Sequence, residues 1–159
     1  MKNLLIILGV MLFLSCGNNQ EKKKGFEYNR TQQEEKNTSL ESTSKIPVDM
    51  ENKGIGPVTK VFFENEINTA MAQEGETAFN QKCTACHMAD RKLIGPAMKG
   101  IYERRSPEWV MNMILNPTEM LKQDPIAKAL LQEYNNILML NQNLSQEEAR
   151  SISEYLRTL

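Results

Sequence analysis

Two of the chain's three cysteines and its one histidine fall within five consecutive residues, Cys83-Thr84-Ala85-Cys86-His87. This cluster constrains the fold more than any other feature, because three reactive side chains so close together must serve one site. Several uses compete for it. A zinc ion wants four ligands, and the chain has no second histidine and only Cys16, far away at its front, as a further thiol. A thioredoxin-like dithiol also uses C-x-x-C, but in a βαβ setting, whereas this motif lies at the end of a helical pattern. A structural disulfide between Cys83 and Cys86 is the plainest alternative. Covalent attachment of heme c through C-x-x-C-H uses all three side chains. The two thiols add to the vinyl groups of one porphyrin edge, and the adjacent imidazole then reaches the iron. One covalently attached heme c is therefore the expected cofactor.

The front of the chain sets the compartment. Leu4 to Leu14 form an apolar run of about eleven residues broken only by Gly9, well short of the roughly 20 that span a hydrocarbon core. It reads as the core of an export signal. Phe13-Leu14-Ser15-Cys16 resembles the lipobox of bacterial lipoproteins, departing from it in Phe13, where leucine is more usual. The resemblance implies a signal peptide over 1–15 and lipidation of Cys16; a free cysteine in a differently cleaved signal is the alternative. Two or more acyl chains hold a protein firmly to a membrane, where one holds it marginally. The expectation is a lipid-anchored protein of the bacterial cell envelope, its domain facing the periplasm. Residues 16–66 are expected to be the lipidated N-terminus and a flexible polar tether, since 17–53 are rich in Asn, Gln, Glu, Lys, Ser and Thr and bury too little to offset ordering. The stretch Gly54 to Phe63 looks like an irregular lead-in that packs against the domain, which is expected to start at Ile67 and run to 159.

Those last 90 or so residues make a small core that is marginal by itself, and a bulky covalent cofactor helps fill it. The pattern is helical throughout. Met71, Ala78 and Phe79 share a face with Gly75, a residue that lowers helix propensity unless something approaches its backbone. Ser106 is a plausible N-cap with Pro107 at the first helical position, opening a helix through Val110, Met113 and Ile114 that stops before Pro117. A third helix is expected from Pro125 to about Asn136. The last is the clearest: Ser145 and Glu148 form a capping box, followed by an apolar stripe of Ala149, Ile152, Tyr155, Leu156 and Leu159. Asp90 to Arg105 looks like loop.

Over roughly residues 70–159 the chain resembles the class I bacterial-type monoheme cytochromes c. The likeness rests on Glu74-Gly75-Glu76-Thr77-Ala78-Phe79 running into the cysteine motif, on Ile94-Gly95-Pro96-Ala97-Met98-Lys99-Gly100, and on the final helix with Tyr155. It implies an all-α cytochrome c fold, a small helical domain wrapped around one covalent c-type heme. In that family the first and last helices cross near the glycine, which would bring Phe79 and Tyr155 together at Gly75. The Gly-Pro loop lies on the His87 side, where the carbonyl region at Pro96 holds the second imidazole nitrogen. The family's sixth ligand is usually a methionine shortly before the last helix, and Met139 has that spacing. Leu140 stands where a stiffening proline is common, which leaves a looser Met139 bond open. Met139 as ordinary core filler is the alternative, and Met120, placed in an interhelical loop, is the best substitute among Met98, Met111, Met113 and Met120. The implied site is thus Cys83, Cys86, His87 and Met139 around the heme, with His87 and Met139 on the metal.

Thioether opposite imidazole raises the iron potential and fills the position a small molecule would take, so electron transfer is favoured over catalysis. No catalytic residue and no small-molecule substrate are evident. The partners implied are other redox proteins and, through the N-terminal lipid, a membrane. Between Asp90 and Arg105, five cations outnumber two acids in a chain of net charge −1. That loop either steers acidic redox partners or is a solvated face. The basic stretch is too short, in an exported chain, to support nucleic acid. Trp109 packs near a propionate or, by a slight preference, in the core. The competing function is a heme-based gas or peroxide sensor or enzyme whose sixth ligand is displaceable, or a subunit of a larger redox enzyme.

Overall fold

The computed structural model describes residues 46–159, which contain five α-helices and one 3-10 turn. Helix α1 is Thr69–Lys82, the turn is Ile101–Glu103, and α2 (Pro107–Leu115), α3 (Pro117–Gln123), α4 (Pro125–Glu133) and α5 (Gln146–Leu156) follow. Among the described residues no helix is long and apolar enough to cross a membrane. Cys16 and the proposed signal peptide lie outside the described residues.

The fold is organised by the packing of α1 on α5. A Cβ at Gly75 would overlap the backbone carbonyl of Ser151, so glycine is what lets the two helices approach this closely. Phe79 and Tyr155 meet across that contact with ring centroids 5.4 Å apart, as expected from the resemblance. The capping box at Ser145 and Glu148 is formed in both directions. Its helix buries Ala149, Ile152 and Leu156 at 0 to 4% exposure, and each of the two larger side chains is worth about 1.5–3 kcal/mol on leaving water. At the start of α2, Ser106 caps through the Trp109 amide with Pro107 in the first turn.

Three expectations are corrected. First, the chain does not run as loop from Pro117 to Pro125. Asn116 and Asp124 each precede a proline, and a proline in the first turn costs a helix no hydrogen bond, so two short helices follow one another. Second, Met120 therefore lies on α3, fully buried, and its Sδ accepts the Ile55 amide at 3.0 Å. That packing removes it as a substitute iron ligand. Third, α4 ends at Glu133 rather than near Asn136, because Asn135 and Asn136 both adopt left-handed backbone, φ 58° and 57°.

Packing also begins well before Ile67. Residues 46–66 carry no regular element yet lie along α2, α3 and α5. Asp49 bridges to Arg105, and Ile46 and Val58 join the core. Asn112, 1% exposed, holds this strap by accepting the Val58 amide at 2.9 Å and donating to the carbonyls of Val58 and Lys53 at 2.8 Å. Asp124 takes the Asn52 side chain at 2.7 Å and the Trp109 indole N–H at 3.1 Å, which makes Trp109 a core anchor. At the strap's far end Glu154 accepts the Asn68 amide and both Arg150 and Arg157, while those two guanidinium groups lie 4.9 and 4.7 Å from the Phe63 ring centre.

Candidate heme site

Cys83 is the C-cap of α1, its amide still bonded to the Phe79 carbonyl. Its own carbonyl accepts both the Cys86 and the His87 amides, at 3.0 and 2.9 Å. The motif is therefore a tight turn continuing the helix, which gathers the two thiols and the imidazole at one helix end. Cys83 and Cys86 are not bonded to each other. Burial, with Cys86 beside it, pushes the Cys83 thiol up to about 11. A redox-active dithiol lowers its attacking thiol toward neutrality, and burial moves Cys83 the other way.

His87 is held by the loop that follows. The Gly95 amide bonds the Cys86 carbonyl at 2.8 Å, and Met98 and Lys99 donate back to Met88 and Ala89, folding Gly95-Pro96 against the ring. Nδ1 lies 3.1 Å from the Pro96 carbonyl oxygen. That oxygen only accepts, so Nδ1 carries the hydrogen and Nε2 keeps its lone pair. Burial pushes the imidazole below its ordinary value, and the Pro96 carbonyl acts in the opposite sense; a neutral imidazole with a free Nε2 is the form that binds iron. A Cβ at Gly95 would sit 2.5 Å from the His87 ring carbon Cε1, so the ring fits only because that position is glycine. Tyr102 ties the same loop to α5, its hydroxyl donating to the Ser153 carbonyl at 3.0 Å.

Met139 lies in the irregular segment between α4 and α5 and is half-buried. Around it Ile137, Leu138 and Leu140 are exposed, as are Leu93 and Ile94 on the His87 loop. Apolar side chains gathered on two loops, one holding His87 and the other Met139, suit a flat and largely apolar macrocycle. Among the described residues no group of three or more His, Cys, Asp or Glu side chains is placed to hold a metal ion by itself. An imidazole on one loop and a thioether on the other fit the two axial positions of a heme iron.

The basic loop is narrower than its composition. Arg105 is 4% exposed, donates to the Pro47 carbonyl and lies 5.6 Å from the Trp109 ring centre. Arg104 is spent on the Lys99 and Ala97 carbonyls. Arg91, Lys92 and Lys99 remain exposed. The buried polar residues that hold the strap, Asn112, Asp124 and Glu154, escaped sequence inspection, although Asp124 ahead of Pro125 is itself an N-cap signal.

Comparison with known proteins agrees with this geometry. The family profile for cytochrome c matches residues 72–159. Over 36 residues the chain is 52% identical to cytochrome c-551 of Stutzerimonas stutzeri, a match covering 22% of this chain and 35% of that protein; the chain thus spans about a third of that relative's length. Cytochrome c from Rhodothermus marinus superposes with a TM-score of 0.63 at 47% identity, covering 65% of this chain and 88% of that one. An engineered cytochrome c from the same organism, bound to a carbene intermediate, gives a TM-score of 0.60 at 47% identity with the same coverage of both chains. The all-helical fold and the family match together show that the chain belongs to the cytochrome c family, as a monoheme c-type domain with a single covalently bound heme c.

Proposed function

We propose that this protein is a membrane-tethered electron carrier, passing single electrons between exported or membrane-bound respiratory redox partners. Cys83 and Cys86 form the two thioethers, His87 and Met139 are the axial ligands, and Cys16 carries the lipid. The observation that supports this best is the seat of His87: Nδ1–H on the Pro96 carbonyl, the ring against Gly95, Nε2 free. Bound heme supplies the one-electron couple of its iron. The Pro96 carbonyl fixes the imidazole tautomer and orientation and raises its basicity, as partners of ligating histidines do. The Met139 thioether raises the potential relative to a second imidazole and occupies the position a small molecule would take. The exposed cations Arg91, Lys92 and Lys99 give the domain a positive edge that attracts an acidic redox partner. The tether reading rests on the Phe13-Leu14-Ser15-Cys16 pattern and the polar stretch after it, and it places the domain in the periplasm.

The test is the visible and far-red spectrum of the oxidised, c-type-matured protein, before and after denaturation, beside Met139→Ala. Heme that survives denaturation, with a sulfur-to-iron band that disappears in the variant, is expected. Covalent heme without that band in the parent would remove Met139 as ligand and favour an open-site sensor or enzyme. For the tether, Cys16→Ser should move the protein from the membrane fraction to the soluble one; its retention in membranes would refute lipidation at Cys16.

A further inference from the structure

The segment that carries Met139 has no proline after the methionine and starts from two consecutive left-handed asparagines, so its position has to be held by other means. At its far end the Asn141 side chain donates to the Leu115 carbonyl at 3.3 Å and accepts the Asn143 amide at 2.7 Å. At its near end Lys92 Nζ stands 4.3 Å from the centre of the Tyr134 ring. Lys92 is five residues beyond His87, and Tyr134 is five residues before Met139. One contact therefore joins the histidine loop to the helix end that leads into the methionine segment. The same loop acts on Tyr134 a second time: burial and Glu133 push its hydroxyl up, and Arg104 pulls it down.

We propose that Lys92 on Tyr134 is a clasp across the heme crevice, a pair of positioning residues that keeps the Met139 segment closed against the His87 loop. It rests on Met139 being the sixth ligand. An outside ligand that takes the position of Met139 has to let the segment swing away, and the clasp opposes that opening. A cation over a tyrosine face at a partly exposed site corresponds to about a two- to fivefold change in an equilibrium. Since Lys92 is exposed, removing its charge leaves the core untouched.

The experiment titrates the oxidised full-length holoprotein with imidazole and follows loss of the sulfur-to-iron band. Lys92→Met keeps the aliphatic stem and removes the cation, Lys92→Arg restores a cation, and Tyr134→Leu removes the ring. Lys60→Met is the control, because Lys60 lies 4.2 Å from the Phe62 ring centre in the strap. Expected is about two- to fivefold tighter imidazole binding in Lys92→Met and Tyr134→Leu, with parent-like binding in Lys92→Arg and Lys60→Met and a Tm in Lys92→Met lowered by no more than a few degrees. Parent-like binding in Lys92→Met, with the band intact, overturns the clasp and leaves the ligand assignment standing. Equal tightening in Lys60→Met overturns it too, as a general charge effect. A parent without the band overturns the ligand assignment and the clasp together.

Discussion

Replacing Asn112 tests whether the strap is part of the cooperative domain. Its amide makes three hydrogen bonds to the strap, accepting from the Val58 N–H and donating to the Val58 and Lys53 carbonyls, all at 2.8 to 2.9 Å and at 1% residue exposure. Each such bond is worth about 0.5–1.5 kcal/mol net, and stranding a buried partner costs about 1–3 kcal/mol. Asn112→Ala should therefore cost about 3 kcal/mol. The strap can escape part of that by peeling away into water, which then gives up the burial of Val58 and Ile46, about 1.5–3 kcal/mol for each side chain. Both routes arrive at a similar loss. Asn112→Asp should cost more than Asn112→Ala near neutral pH, because it turns a buried carboxylate oxygen toward two carbonyls. Its deficit should shrink on acidification, since protonation restores one donor. The assay is urea denaturation of the holoprotein, followed by far-UV circular dichroism and heme absorbance. A loss below about 0.5 kcal/mol in Asn112→Ala, or an Asp variant no worse than the Ala variant, would refute the argument.

Three further outcomes are expected. Gly75→Ala gains about 1 kcal/mol of helix propensity, but its Cβ collides with the Ser151 carbonyl, so Tm should fall; a Tm at or above the parent's would mean that the helices separate at no cost. Gly95→Ala should displace the His87 ring from its seat, since the new Cβ would lie 2.5 Å from Cε1, shifting the midpoint potential in a redox titration while the heme remains covalently attached. Burial pushes the Glu154 carboxyl up, but Arg150, the Asn68 amide and Arg157 outweigh it and hold it below the usual range. A depressed carboxylate contributes stability above its unfolded value of about 4.3 and loses it as pH falls through the lower folded value. The stability of the parent should thus drop more steeply from pH 5 to pH 3 than that of Glu154→Gln, and parallel profiles would exclude this carboxylate as the source.

The helices were legible where a local signal was strong. Ser106-Pro107 and Ser145 with Glu148 state their caps within four residues, and the stripe from Ala149 to Leu156 repeats on one face. The C-x-x-C-H pattern was legible for the same reason, because Cys83, Cys86 and His87 lie within one turn. Met120 and the strap were not. Pro117 reads equally well as a stop or as a start, and only burial against Gly54 and Ile55 decides that Met120 is core.

By itself, then, the sequence determined the starts of α2, α4 and α5, the glycine at a close approach, and the chemistry of the C-x-x-C-H turn, since each depends on residues within a few positions of one another. The tertiary structure alone decided that residues 46–66 belong to the domain and that Arg105 turns inward. It alone decided that Asn112, Asp124 and Glu154 are buried and paired. Those outcomes depend on groups of residues 47–68 that lie 54 to 86 residues away in sequence, and a polar side chain carries no local mark of the distant group it will satisfy.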